Sequence, residues 1–492
     1  MNRIHVVLTL ALVAWSVQAQ PKSAGERTAV DLTIYNQNLS LIREERTFNL
    51  PKGISTVTVP DIPSTIDGTS VHFVSLTDAS AVKVLEQNYQ FDLVSQGKLM
   101  EKYLGKQIEF VRMDEATKKE YSVFGTLLAT GYPTNYGNVA YSGGMIAEIN
   151  GKIEVNPVGR IVLPSLPEGL ILKPQLEWLV SNSRPGNHKT EMSYLAGQLS
   201  WSCNYVAVLD KSDSKLDLKG WVTLTNNSGT TFTNAGLKLV AGDVNIVREE
   251  FAREGMMLKN AIAADGAQPQ FKQTDLFEYK LYSLQRKTDL RNNETKQIEL
   301  TSATNVNAKK VFLYDGLADQ WRYWWNNYSY RDQGSFGQQS NRKVGVYMTF
   351  KNDEQSGLGI ALPKGKVRVY KRDDDGKEQF IGEDQIDHTP KDEEVKLYLG
   401  NAFDIVGERA QKDFKSFANG RVVEETIEIK LRNHKNDAVE VQVYEHPWRW
   451  SQWEIVKSSA EWQKVDQATI KFPVKISKDG EKVITYTIRY SW

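Results

Sequence analysis

The chain has 492 residues, 40% of them hydrophobic and 25% charged, so it is too long for one ordinary domain and too apolar to be disordered. Lysine and arginine together number 61, as do aspartate and glutamate, which leaves no concentrated positive charge for nucleic acid. The single cysteine, Cys203, excludes an intramolecular disulfide, so stability must come from packed cores.

Residues 1–19 read as a signal peptide. Arg3 and His5 open it, Val6–Val13 is an apolar run, and Val17-Gln18-Ala19 fits a small-residue cleavage site. The run is too short to cross a bilayer and no other stretch reaches ~18 apolar residues, so no transmembrane segment is expected after its removal. The expectation is export to a bacterial periplasm or cell surface.

Residues 20–93 form the next region, with strands expected at Val30–Tyr35, Leu41–Leu50, Ile54–Val59, Val71–Leu76 and Val82–Tyr89, separated by Pro, Gly and Asn turns. Leu93–Leu104 instead spaces its apolar residues for a helix, with Gly105 as its C-cap. About five short strands follow, and residues 94–163 are predicted as a small inserted helix-plus-β-barrel domain. Pro164, Pro167 and Pro174 mark its exit.

From Gln175 the strands lengthen, and residues 164–314 are expected as a central β-sandwich. Its clearest part is Tyr194–Val244, in which Asn226-Asn227-Ser228-Gly229 is a turn built from residues that tolerate positive φ. Trp201 and Trp221 are predicted core anchors there, and Cys203 a small buried hydrophobe. Val247–Ala263 is predicted as a charged helical excursion or mobile loop. Residues 315–341 form an aromatic-rich insertion, and 342–492 a C-terminal sandwich with turns every 8–14 residues. The fold class expected is therefore all-β: antiparallel β-sandwich domains with one small insertion.

Several stretches in order resemble a bacterial envelope family whose defining domain is called domain of unknown function 4139, loosely tied to mucoidy-inhibitor-like proteins. They are Leu199-Ser200-Trp201 with Asn204-Tyr205, Leu218–Asn226, Leu237–Asp243, Phe277–Leu284, Gly357–Pro363 with Val367–Tyr370, Gly382–Pro390, Phe403-Asp404 and Leu431–Lys435. The resemblance implies an exported, β-rich protein and supplies no catalytic residues.

Standard hydrolase, metalloprotease and nucleotide-binding spacings are absent from the sequence. Two stretches could carry chemistry. Trp321–Phe336 holds Trp321, Tyr323, Trp324, Trp325, Tyr328, Tyr330 and Phe336, flat amphipathic rings suited to stacking on a glycan or anchoring a protein partner. They could equally fold back onto their own sheet. Trp448, Trp450 and Trp453 form a second cluster, and a shared face with the first would favour binding. The acid-rich turn Gly382–Glu394 offers Glu383, Asp384, Asp387 and His388 as ligands for a divalent cation such as calcium, or a charged hairpin end. No other cofactor is called for.

Two functions follow. One is a non-enzymatic scaffold or binding protein of the cell envelope, with an envelope protein or glycan as partner. The alternative is an envelope glycan or peptide hydrolase using Asp384 and Asp387 as general acid and base, which requires two carboxylates about 5–10 Å apart.

Overall fold

The computed structural model describes residues 22–23, 25, 27–90, 92–132, 134–136, 139–141, 143–167, 169–242, 244–245, 270–318, 320–325, 327, 329, 331–334 and 340–492. The signal segment 1–19 and the excursion Val247–Ala263 lie outside the described residues. Within them the chain is mostly strand, in several mainly antiparallel sheets.

Alternation dictates the layers, because successive strand side chains point to opposite faces. Arg27–Tyr35 buries Val30, Leu32 and Ile34, and Gln175–Asn182 buries Leu176, Trp178 and Val180. Leu39–Leu50 buries Ile42, Phe48 and Leu50, but its inward face also carries Glu44 and Arg46. These faces meet in one core that extends under the sheet of Leu199–Leu209 and Lys215–Asn226.

The domains expected from sequence order are interleaved. Gly53–Pro60 pairs with Gln175–Asn182, Leu39–Leu50 pairs along its whole length with Gly186–Gly197, and Arg27–Tyr35 runs parallel to Phe232–Ala241. Regions 20–93 and 164–314 therefore share two sheets, with 94–163 inserted between their strands. Gly365–Arg372, expected in the C-terminal sandwich, lies parallel to Leu199–Leu209, with Gly365 opposite Cys203. Backbone pairing across more than a hundred residues leaves no mark on local composition, so the linear boundaries could not be read.

Between Gly197 and Leu199 the chain passes from one sheet to the next. Gln198 makes that corner with φ of 61°. The turn at 226–229 forms as expected. Gly229 has φ of 91°, and buried Asn226 donates its amide to the carbonyls of Thr230, Leu290 and Arg291. Trp201 is 4% exposed, but Trp221 is only half-buried, because Leu218, Val222 and Leu224 take the inward positions of its strand.

The insertion begins with helix Gln96–Lys102, capped by the Ser95 hydroxyl, and continues into a five-stranded sheet around Met100, Phe110, Leu127 and Ile149. The sheet is open rather than a barrel. Lys152–Val155 and Arg160–Val162 are its two edges, and among the described residues they do not pair with each other.

Two long strands tie the central sheet to the C-terminal sandwich. Glu294–Asp315 has 22 residues, pairing first with Lys215–Asn226 and then with Lys343–Lys351. Glu394–Phe417 has 24. Both change partners along their length, Glu394–Phe417 pairing first with Lys343–Lys351 and then with Val422–Asn433. The C-terminal core gathers Ile427, Ile429, Phe472, Ile484 and Ile488. The last strand buries Ile484, Tyr486, Ile488 and Tyr490 on one face, as its alternation predicts.

Candidate functional site

The aromatic insertion grows from the end of a core strand. Asp315 closes Glu294–Asp315, and its Oδ1 accepts from the backbone N–H groups of Leu317 and Ala318 at 3.0 and 2.8 Å. This turn launches the single helical turn Gln320–Trp324. Asn341 clamps the neck. Its backbone N–H donates to Gly316 O at 2.8 Å, its Nδ2 to Asp315 O at 3.1 Å, and its carbonyl accepts from the Tyr314 hydroxyl at 2.8 Å.

The outgoing limb lies on the second tryptophan cluster. Trp321 stacks on His446 with centroids 4.2 Å apart and planes 9° off parallel, and Trp325 meets Trp321 edge-on at 6.0 Å. His446 is buried with both ring nitrogens facing oxygens, Nε2 at 3.1 Å from Asp315 Oδ2 and Nδ1 at 3.1 Å from Ala468 O. Trp324 packs at 5.4 Å on Trp448, which is only 2% exposed.

The returning limb is held by a buried cation. Arg449 donates to the carbonyls of Arg331 and Gln333 at 3.3 and 3.2 Å, pairs with Glu425 at 2.9 Å, and lies 4.4 Å from the Trp448 ring. Arg331 in turn sits over Trp492 at 4.6 Å and Trp450 at 5.2 Å. Gly334 passes so close to Phe414 that a Cβ would lie 2.6 Å from its ring. The insertion is thus a cap pinned at its neck and on both limbs. Tyr323 is 82% exposed and Trp321, Trp324 and Trp325 are half-buried. Tyr328, Tyr330 and Phe336 lie outside the described residues.

Beneath the cap lies a polar network. Gln411 donates to Glu425, Arg409 donates to both oxygens of Glu445 at 3.0 Å, and the Tyr486 hydroxyl also donates to Glu445. Burial raises the pKa of Glu425, but Arg449, Arg409 and Gln411 together outweigh it and hold the carboxyl below its ordinary value. Such a depressed carboxyl contributes stability that is present above its unfolded pKa near ~4.3 and lost as pH falls through its folded value. Urea midpoints followed by tryptophan fluorescence should therefore fall below about pH 4.5. Glu425→Gln should reduce that acid slope by up to one proton's worth, about 1.4 kcal/mol per pH unit. An unchanged slope in the variant would show that Glu425 does not titrate with unfolding.

No protein-family model matches this chain, and no curated protein matches it significantly.

The structure disperses the four acid-turn residues. Glu383 pairs with Lys366 at 2.9 Å and Arg368 at 3.4 Å; the Lys366 hydrogen bond leads in lowering its pKa. Asp384 gives its two oxygens to the backbone N–H groups of Gln385 and Tyr398 at 2.8 and 2.7 Å. The Asp387 side chain is 92% exposed, 3.7 Å from Lys364. His388 Nδ1 accepts from Lys364 N at 3.1 Å, and Nε2 lies 3.4 Å from the Asn36 amide nitrogen. Among the described residues no three His, Cys, Asp or Glu side chains come together to hold a metal ion. Asp373–Gly376 forms a hairpin turn closed by Gly376 N donating to Asp373 O at 3.0 Å. Cys203 is buried and its thiol is pushed up to about 12, chiefly by that burial, which leaves it no thiolate for chemistry near neutrality.

The rings are legible in the sequence, but the residues that hold them are not: Asp315, Arg331, Glu425, His446 and Arg449. Arg449 lies between Trp448 and Trp450, and a charge amid aromatic residues was the only local signal of it.

Proposed function

We propose that this is an exported, non-enzymatic binding protein of the bacterial cell envelope, related to the domain of unknown function 4139 group, whose aromatic cap engages a glycan or an envelope protein. The observation that carries this reading is the pinned cap. Rings held by buried ion pairs lose little freedom on binding, and half-buried tryptophans beside an exposed tyrosine present flat amphipathic area at low entropic cost. Trp448 and Trp450 of the second cluster lie against the cap, Trp448 beside Trp324 and Trp450 beneath Arg331.

Trp324→Ala with Trp325→Ala tests it. On the mature chain the double change is expected to abolish retention on a glycan array or pull-down of an envelope partner, while the melting temperature falls by only a few degrees. Full retention of binding would remove the cap from consideration, and wholesale unfolding would mark the rings as core.

A further inference from the structure

A cleft in the first sandwich shares no residue with the cap. It has a volume of about 580 Å³ and opens where the start of Arg27–Tyr35 meets the end of Gly53–Pro60 and the start of Phe232–Ala241. Its lining includes Arg27, Thr28, Arg46, Asp61, Thr233 and Asn234 and holds no aromatic side chain. This size is within the range of small-molecule sites, about 300–1,000 Å³.

Arg46 is the residue that marks it. The side chain is only 5% exposed. Its Nε donates to Glu44 Oε2 at 2.9 Å, and its Nη2 lies 2.8 Å from the same oxygen and donates to Pro60 O at 3.3 Å. Nη1 has no partner among the described residues. Yet it is not sealed in the core: it keeps accessible surface, and the cleft is the surface that Arg46 lines. Buried polar side chains normally have all their donors matched, so a guanidinium donor left open on a cleft calls for an acceptor from outside the chain.

Charge gives the sign of that acceptor. Glu44 is fully buried, and its Oε2 also faces Arg27 Nε at 3.1 Å. One carboxylate neutralises one of the two guanidinium groups. The other carboxylate on the lining, Asp61, is taken by Lys173 at 3.0 Å. Arg27 spends Nη1 and Nη2 on the carbonyls of Thr231 and Asp61 at 3.2 and 2.9 Å, which fixes its fork but leaves its charge uncancelled. The described lining therefore carries one positive charge in excess, which a monoanion balances and a dianion overshoots. A carboxylate meets a guanidinium N–H with a charge-assisted hydrogen bond. Thr233 and Asn234 are exposed on the rim, and a hydroxyl beside a carboxamide both donates and accepts, which hydroxyl substituents answer. We propose that this cleft binds a small hydroxylated monocarboxylate, its carboxylate on Arg46 Nη1 and its hydroxyls on Thr233 and Asn234.

The experiment is titration calorimetry on the mature chain at low ionic strength. The probes are lactate and gluconate, with propionate, sulfate and methyl glucoside as the unhydroxylated, dianionic and neutral arms. Lactate or gluconate is expected to bind saturably at one site, and propionate about fivefold or more weakly, the worth of one hydrogen bond. Arg46→Lys, which keeps a cation beside Glu44 and removes Nη1, should weaken binding about ten- to hundredfold, the worth of a hydrogen bond to a charged group. Thr233→Glu, which sets a carboxylate on the rim at an exposed position, should abolish it. Should Arg46→Lys fail to fold, Thr233→Glu and Asn234→Ala decide, the latter with an expected five- to tenfold loss. The inference is overturned if neither hydroxy acid saturates, if methyl glucoside binds as well as gluconate, if sulfate binds more tightly than both acids, or if the folded cleft variants keep full affinity. A loss confined to Trp324→Ala with Trp325→Ala would place the acid on the cap and overturn the cleft, so the two readings fail separately.

Discussion

Replacing Glu44 by leucine is expected to cost about 3–5 kcal/mol, the range for breaking a buried ion pair from one side. Glu44 is fully buried in the first core and sits between two guanidinium groups. Arg46 approaches it at 2.8 and 2.9 Å, Arg27 at 3.1 Å, and the Tyr194 hydroxyl donates to its Oε1 at 2.7 Å. Without the carboxylate, two cations with 5% and 14% side-chain exposure would face each other in a low-dielectric interior. Tyr194→Phe should lose only about 1.5–3 kcal/mol, the worth of a hydrogen bond to a charged group. Guanidinium denaturation read by circular dichroism separates the two. If Glu44→Leu proved as stable as the parent, the pair would be of the kind that apolar residues replace without loss.

Trp448→Ala should have an effect of similar size in the C-terminal sandwich, about 3–5 kcal/mol for a fully buried aromatic. A local consequence should come with it, because Trp448 supports Trp324 on one side and the Arg449 guanidinium on the other. Arg449 holds the returning limb through the carbonyls of Arg331 and Gln333. Limited proteolysis should then cut within 320–334 at concentrations that leave the parent intact. Tyr323→Ala, at an 82% exposed position, should shift stability by no more than about 0.5 kcal/mol and leave the cap resistant. A Trp448→Ala protein with a resistant cap would show that the neck at Asn341 holds the insertion by itself.

Both cores combine apolar packing with buried charge. The first sets Glu44 against Arg27 and Arg46 with Tyr194; the second sets Glu445 against Arg409 with Tyr486, beside Glu425 and Arg449. Arginine suits both places because its planar fork spreads several donors over carboxylate and carbonyl oxygens together. In the second core the same fork reaches the surface insertion, so the cap's position is coupled to the integrity of the sandwich beneath it.

Much of the architecture was legible locally. Alternation marked the strands around Leu199–Asn226 and the last strand with its inward Ile484, Tyr486, Ile488 and Tyr490, and Gly229 marked a turn. The helix expected over Leu93–Leu104 with Gly105 as its C-cap runs only over Gln96–Lys102 and is capped by Tyr103. Trp221 shows where the same rule could have been pressed further. Its neighbour Val222 shares a face with Leu218 and Leu224, so the period of two already put Trp221 outside.

Of the candidate site, the run of rings at Trp321–Trp325 and their proximity to Trp448 and Trp450 have different origins. Composition alone singled out both clusters, since seven aromatics in sixteen residues is a local property. Their meeting depends on strands closed by Asp315 and Glu445 running side by side, with Asp315 opposite Tyr444. The acidic turn shows the reverse case. Glu383, Asp384, Asp387 and His388 are neighbours in sequence, yet strand alternation and hairpin geometry send them to Lys366, two backbone amides, Lys364 and Asn36.

Strand identity, turn positions and the all-β class therefore belong to the sequence read locally, because side-chain period and backbone dihedral preference act over a few residues. Only the tertiary structure decided the pairing of residues 30–60 with 175–240, the continuity of the two long strands, the burial of Glu44 and Arg449, and the cleft shared by Arg46 and Asn234. Those depend on which separate elements pair and pack, over spans such as 24 residues for Glu425 with Arg449 and 156 for Ser40 with Ala196, and local periodicity carries no record of that choice.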